Sequence, residues 1–324
     1  MKKFVHINAT TVEDAVRTLA RYDGKASPMA GGTDLLGKMK DVILPRYPEA
    51  VVNLKTIEGL DGIDEKDGVL SIGALTRLRD IADHPVVRDR YTALAEAAGR
   101  TASPNLREMG TIGGNICQDI RCWYYRHPDN RFPCLRKGGG RCYAIDGDNR
   151  YHSIFGGSVE EGCYAVHPSD TAPALIALNA RIKTSAREVD AEDFFDVRVC
   201  GTTILESDEI VTEIHIPEPA RGAKSAFLKF ALRKSIDFPI VNCAAMIESK
   251  GSKVASARIC LNAVHVTPYR ALGAEAAIVG QKITEASAES AGIAAVADAQ
   301  PMSGNEYMVQ IAKTLVKRSI LACK

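Results

Sequence analysis

The sequence predicts an α+β chain of two or three domains. A strand–helix–strand succession fills the first fifty residues, two glycine-rich turns follow regular segments, and alternating apolar segments from residue 210 onward give way to helical stripes.

With 46% hydrophobic and 25% charged residues, the chain has ample material for a core. Lys+Arg 41 against Asp+Glu 40 leaves no global field toward nucleic acid or an anionic membrane, so neither is an expected partner. The start, Met-Lys-Lys-Phe-Val-His-Ile-Asn, turns polar before an apolar signal core forms, and no later stretch is long and uncharged enough to span a bilayer. A cytoplasmic location is expected. In that reducing compartment, clustered cysteines point to metal or redox chemistry rather than disulfides.

Residues 4–8 read as extended. Thr11 and Asp14 stand in capping-box spacing before a stripe of Val12, Ala15, Val16, Leu19 and Ala20 that ends at Gly24. A strand over 27–30 runs into Gly31-Gly32-Thr33-Asp34, a helix over 35–42 follows, and Pro45 and Pro48 separate it from a strand over 50–53. Two residues without Cβ between strand and helix let a backbone approach a pyrophosphate and offer it unpaired N–H groups. The alternative is a tight turn with Thr33 or Asp34 as helix cap.

A second glycine-rich segment follows a helical stretch over 93–98. Thr101-Ala102-Ser103-Pro104 leads through Met109 to Gly110-Thr111-Ile112-Gly113-Gly114-Asn115, where Thr111 and Asn115 add side-chain donors. Neither segment fits G-x-G-x-x-G or G-x-x-x-x-G-K-[ST], which removes a Rossmann or Walker site.

Cys117, Cys122, Cys134, Cys142 and Cys163 then place five of nine cysteines within forty-seven positions. From Cys122 the intervals are eleven, seven and twenty residues, and glycines at 138–140 and 156–157 let the loop fold its thiolates toward one centre. Zinc is the alternative, although its sites usually use paired C-x₂₋₄-C spacing. The other four, Cys200, Cys243, Cys260 and Cys323, read as isolated buried residues.

Segments over 210–216, 226–232, 240–247 and 255–264 alternate like an antiparallel sheet, followed by helices over 270–279 and 305–321. Pro217-Glu218-Pro219-Ala220-Arg221-Gly222 is the best linker. The last helix sets Met308, Ile311, Ala312, Leu315 and Ile320 on an apolar face, with Lys313, Lys317 and Arg318 on a solvated one.

Met29, Ala30, Gly31, Gly32, Thr33, Asp34 and Leu35, with Gly110, Thr111, Gly113, Gly114 and Asn115, resemble the FAD subunit of the xanthine dehydrogenase and carbon monoxide dehydrogenase family of molybdenum hydroxylases. The resemblance continues through His167-Pro168-Ser169-Asp170-Thr171-Ala172 and the 227–244 segment, so it covers nearly the whole chain. It implies an FAD-binding domain over 1–217, made of two α/β subdomains (about 1–55 and 56–217) with a cysteine-rich insertion at about 117–163. A C-terminal α+β domain with an antiparallel sheet would span 222–324. The two glycine segments, together with Thr101, would cradle the FAD pyrophosphate, and Asp170 would contact the flavin's sugar chain. Asp170 could equally cap a helix over 171–178. Lys229 matches a basic position near the flavin and otherwise reads as a solvated strand lysine.

The insertion resembles that of the β subunit of 4-hydroxybenzoyl-CoA reductase. This implies a 4Fe-4S cluster on Cys122, Cys134, Cys142 and Cys163, with Cys117 left in the stretch after the flavin motif. Trp123, Tyr124 and Tyr125 would shield it. The same resemblance implies a large partner subunit with the molybdenum cofactor, a small one with two 2Fe-2S clusters, and an external carrier such as ferredoxin or NAD. The chain would then relay electrons and carry no catalytic residue of its own. A self-sufficient FAD reductase, like the cell-wall enolpyruvyl-glucosamine reductases, and a zinc-stabilised scaffold protein are the competing readings.

Overall fold

The computed structural model describes residues 1–157 and 162–324; the stretch 158–161 of the cysteine-rich insertion lies outside the described residues. Strands β1 (Val5–Asn8), β2 (Ala26–Met29) and β3 (Ala50–Asn53) form a parallel sheet in the order β1-β3-β2. Two crossover helices connect them, Val12–Arg21 and Leu35–Asp41. The predicted cap is present, with the Asp14 amide donating to Thr11 Oγ1, but the return bond goes one residue early, from the Thr10 amide to the Asp14 carboxylate.

A second sheet is built from strands far apart in the chain. β4 (Ile63–Lys66) and β5 (Val69–Gly73) form a hairpin, as do β6 (Arg181–Thr184) and β7 (Glu188–Asp190). After a short ladder of β8 (Phe195–Arg198) and β9 (Gly201–Thr203), β10 (Val211–Pro217) enters between them, giving the order β4-β5-β10-β6-β7. This corrects the grouping of the segment at 210–216 with the C-terminal strands. Its inward Ile214 and Ile216 join Leu70, Ile72 and Ile182 in the main core of the first domain.

The C-terminal sheet is antiparallel, β11 (Lys224–Phe230), β12 (Val241–Lys250), β13 (Lys253–Asn262) and β14 (Tyr269–Arg270) in sequence order. One face packs on helices Leu272–Ile278, Glu285–Ala294 and Tyr307–Ala322. The other sends Phe227, Ala244 and Cys260 into the first domain's core. Burial on both faces explains the unbroken small and apolar run in β12, where alternation would mark a half-exposed strand. The helix Glu285–Ala294 lacked a sequence signal because its buried residues are Ala288, Ala291 and Gly292. Lys313 and Lys317 pair with Glu289 and Glu285 of that helix.

No helix among the described residues is long and apolar enough to cross a membrane.

Candidate functional site

The two glycine-rich segments meet face to face. A Cβ at Gly31 would lie 2.0 Å from the Met109 carbonyl oxygen, so only glycine lets the segments touch, and Gly32 sits at φ +72°, in the left-handed region. The N–H groups of Gly31, Gly32 and Thr33 donate to no acceptor among the described residues. Opposite them, Thr111 Oγ1 accepts from the Gly114 amide at 3.1 Å and caps the short helix Ile112–Ile116.

Between the segments lies a cleft of about 460 Å³. Met29, Ala30, Gly31, Gly32, Thr33, Asp34, Leu35, Thr101, Gly110, Thr111, Gly114, Asn115 and Asp170 all line it. Two expected residues do not. Gly113 is turned into the core, where a Cβ would stand 2.9 Å from the Ala74 carbonyl oxygen, and Lys229 lies behind Asp170.

The third motif braces this wall. Asn115 Oδ1 accepts from Ser169 Oγ at 2.5 Å and Thr171 Oγ1 at 2.7 Å. Ser169, not Asp170, caps the helix Thr171–Ala177, accepting from the Ala172 amide. The Asp170 carboxylate instead accepts from Lys229 Nζ at 2.7 Å and Asn242 Nδ2 at 2.8 Å. With side chains 3% and 7% exposed, Asp170 and Lys229 form a buried ion pair, which corrects the solvated-lysine alternative. Burial pushes the Asp170 carboxyl above its ordinary range even against the pull of Lys229.

Asp34 joins the first glycine turn to the cysteine insertion. Its carboxylate pairs with Arg121 and Arg126, both at 2.7 Å, and accepts from the Asp119 amide at 3.0 Å. Burial alone would raise its pKa, but Arg126, Arg121 and Lys38 together hold it down at about 2. Asp119, paired with Lys38 at 3.3 Å, accepts from Tyr125 Oη at 2.6 Å. The side-chain cap expected of Thr33 or Asp34 is not formed.

Sequence reasoning missed several cleft residues. Arg121 stacks on Phe238 at 4.5 Å, and Ile236, Asp237 and Phe238 close one side from the loop before β12. Exposed Ile236 and Phe238 in a short loop between strands were the available signal.

Cys122, Cys134, Cys142 and Cys163 line a single small cavity with Tyr124, Tyr125, Tyr143 and Arg136. Its free space is about 10 Å³, room for one water. Among the described residues, no three His, Cys, Asp or Glu side chains stand where they could hold a metal ion. Burial pushes the Cys122 thiol up to about 12, and its Sγ lies 3.3 Å from His152 Nε2. Cys117 lines the glycine cleft instead. Trp123 is 44% exposed and leans on Tyr151, whereas Tyr124 and Tyr125 line the cavity. Cys200, expected to be buried, is exposed at φ +58° in the β8–β9 turn. Cys243, Cys260 and Cys323 are buried as expected.

Fold and cleft together have the form of a cofactor-binding protein, with two glycine turns of a non-Rossmann domain facing an open cleft. The family model for the FAD-binding domain in molybdopterin dehydrogenase matches residues 2–219, and that for the CO dehydrogenase flavoprotein C-terminal domain matches 226–323. The chain belongs to the FAD-binding subunits of the xanthine dehydrogenase and CO dehydrogenase family of molybdenum hydroxylases. It is 33% identical to the aldehyde oxidoreductase FAD-binding subunit PaoB of Escherichia coli (strain K12), over 99% of this chain and 98% of that protein. With the carbon monoxide dehydrogenase medium chain of Hydrogenophaga pseudoflava it shares 29% identity over 99% and 96%. A solved structure of carbon monoxide dehydrogenase from that organism, lacking the Mo-pyranopterin moiety, superposes with a TM-score of 0.78 at 27% identity, covering 99% and 97% of the two chains.

Proposed function

We propose that this chain carries both FAD and a 4Fe-4S cluster and relays electrons within a molybdenum hydroxylase complex. The observation that carries the reading is the adjacency of the two sites. Cys117, Gln118 and Arg121 line the glycine cleft, while Ile120 and Cys122 line the cysteine cavity, so five of the six residues from 117 to 122 wall one site or the other.

The cleft suits FAD because its free backbone donors and capped glycine turn face a pyrophosphate without a Cβ in the way. Bound flavin supplies one-electron exchange with iron–sulfur centres and two-electron exchange with a hydride partner. Around it, the Asp170–Lys229 pair fixes the cleft wall, and Arg121, held by Asp34, places a cation at its edge.

In the cavity, four thiols with no carboxylate among the described lining residues can serve iron and sulfide as well as zinc. A single zinc ion draws four sulfurs to about 2.3 Å. A cubane instead takes each thiolate at a different iron, which spreads the sulfurs apart. Seating it requires the thiols to part, since the cavity between them is about 10 Å³.

The insertion is read as the kind found in 4-hydroxybenzoyl-CoA reductase. Substrate would be transformed at a molybdenum cofactor on a large subunit, a small subunit would hold two 2Fe-2S clusters, and a ferredoxin or NAD would serve as external carrier, all in the cytoplasm. The test is the full chain purified anaerobically. Bound flavin, with about four irons and four acid-labile sulfides per chain, supports the reading; zinc or bare thiols would remove the cluster. The isolated chain should reduce a dye with dithionite electrons yet oxidise no aldehyde or purine, and steady turnover of either would favour a self-sufficient flavoenzyme.

A further inference from the structure

Three segments distant in the chain meet beside the glycine cleft and enclose a second cavity of about 310 Å³. The cysteine-rich insertion supplies Arg121, Trp123 and Tyr151, the approach to the third motif supplies Val166 and Pro168, and the β11–β12 connection supplies Leu232 and residues 237–240. That connection is held in shape. Asp237 accepts from the Arg233 amide at 2.7 Å and from Arg233 Nε at 2.9 Å, and the Ile240 amide donates to the Phe230 carbonyl at 2.8 Å. The ring of Tyr151 stands 5.5 Å from that of Trp123, and the Arg121 guanidinium lies 4.5 Å from the ring centroid of Phe238. Trp123, Leu232 and Phe238 are exposed yet converge on one cavity, the pattern of a binding surface rather than of scattered surface apolars.

The lining selects the chemistry of the occupant. Aliphatic and aromatic side chains and two prolines make up most of it, and no glycine turn stands among its described residues to cradle a phosphate. Its charged groups are engaged, Asp237 with Arg233 and Arg121 with Asp34. An anion or a purine edge would lose more hydration than such walls return, whereas a neutral flat ring stacks on Trp123, Tyr151 and Phe238. Arg121 has five N–H donors, of which those on Nη2 serve Asp34 and Gln118, so this edge can also meet a ring carbonyl. The volume lies at the small end for small-molecule pockets and suits one or two fused rings. Arg121, Pro168, Asp237 and Phe238 line this cavity and the glycine cleft alike, so single side chains separate the two occupants.

We propose that this cavity binds a neutral quinone, which takes electrons from the flavin in the neighbouring cleft. This rests on the flavin reading above and adds a small apolar carrier to the two already named. A fully reduced flavin gives up two electrons and two protons as two N–H bonds of its ring break. The quinone takes both electrons and, through water, two protons, its two C=O groups becoming C–OH. The flavin returns oxidised, and nothing else is consumed.

Trp123 is the only tryptophan of the chain and lines the cavity, so its fluorescence reports occupancy. The probe is duroquinone, whose fully substituted ring does not add to the free cysteines, titrated anaerobically into the flavin-loaded full chain. Saturable quenching is expected, and none from nicotinamide mononucleotide, a flat ring that carries a phosphate. Val166→Phe fills the cavity and should abolish saturation, while Tyr151→Ala removes one stacking wall and should weaken half-saturation roughly tenfold. Reoxidation of the photoreduced flavin by duroquinone, followed by its visible absorption, should saturate over the same range and respond alike to both variants. Quenching that rises linearly and equally in wild type and variants would overturn the proposal. So would saturable binding with reoxidation that stays linear in quinone, or equal quenching by the mononucleotide. Should Val166→Phe fail to fold, an unchanged affinity in Tyr151→Ala has the same force. A wild-type chain that retains no flavin would remove the flavin reading and the electron transfer with it, while the Trp123 titration still decides on binding.

Discussion

The glycine cleft and the cysteine cavity are neighbours organised by opposite means. Backbone contacts fix the cleft, above all Gly31 against Met109 and Thr111 over Gly114, and it stands open at about 460 Å³. Side chains fix the cavity, which is closed to about 10 Å³. A site made by backbone close approach exists before its ligand arrives. A site made of thiols would take its final form only with a bound metal, whose binding would then contribute to folding. The 117–122 segment, tied to Asp34 through Arg121 and the Asp119 amide, lets the rigid site anchor the adaptable one.

The hardest blow to the preformed side is Gly31→Val. Its Cβ would overlap the Met109 carbonyl at 2.0 Å, so the two segments must separate. A loss of more than about 4 kcal/mol is expected, the range of severe core disruption, together with loss of flavin. Thermal unfolding and flavin content measure this, and a soluble variant with normal flavin would show that the segments do not depend on that contact.

Next is the ion pair under the cleft. Lys229→Met leaves Asp170 buried beside Asn242 alone, and breaking a buried pair from one side costs about 3–5 kcal/mol. Urea unfolding of the flavin-loaded chain should shift accordingly while iron content is unchanged. Equal loss of iron would mean that the two sites are less separate than their construction implies.

One pH unit below about 6.5, acid should weaken the frame between the sites by a smaller amount, about 1.4 kcal/mol. Burial, helped by the nearby Arg136 charge, holds His167 down at about 3. The unfolded chain protonates this histidine below about 6.5 and the folded chain does not. Stability is therefore full above that pH and falls as pH drops from about 6.5 toward 3, by about 1.4 kcal/mol per unit. His167→Gln should flatten this part of the pH profile of unfolding, and an unchanged slope would place the acid sensitivity elsewhere.

What the sequence disclosed follows the same division. Glycine turns are legible because close approach tolerates no other residue, and Met29 to Leu35 line the cleft as the motif implies. The four cysteines are legible because their density is improbable. The strands β4, β6 and β7 were not, since Ile-Asp-Glu-Lys, Arg-Ile-Lys-Thr and Glu-Val-Asp are short and charged and become strands only through β5 and β10. The role of Asp34 also escaped, because its partners Arg121 and Arg126 lie some ninety positions away. Arg136 and Lys137 beside three glycines look like a solvated turn, and only burial distinguishes them.

The smallest expected effect is the sharpest test of where one site ends and the other begins. Cys117 is the first cysteine of the dense run, and by spacing alone it is as good a ligand as Cys122, five positions on. Position separates them. Cys117 closes the helix Ile112–Ile116 and lines the glycine cleft, whereas Cys122 lines the cysteine cavity. Burial pushes the Cys117 thiol up to about 12, so it is a neutral wall residue. Cys117→Ser should keep full iron and sulfide, retain flavin, and cost about 1 kcal/mol for a buried hydroxyl in place of a thiol. Cys134→Ser, run beside it, should lose the cluster and keep the flavin. If Cys117→Ser loses iron while any of the four cavity cysteines can be replaced without loss, the ligand set shifts toward the cleft and the boundary between the two sites must be redrawn.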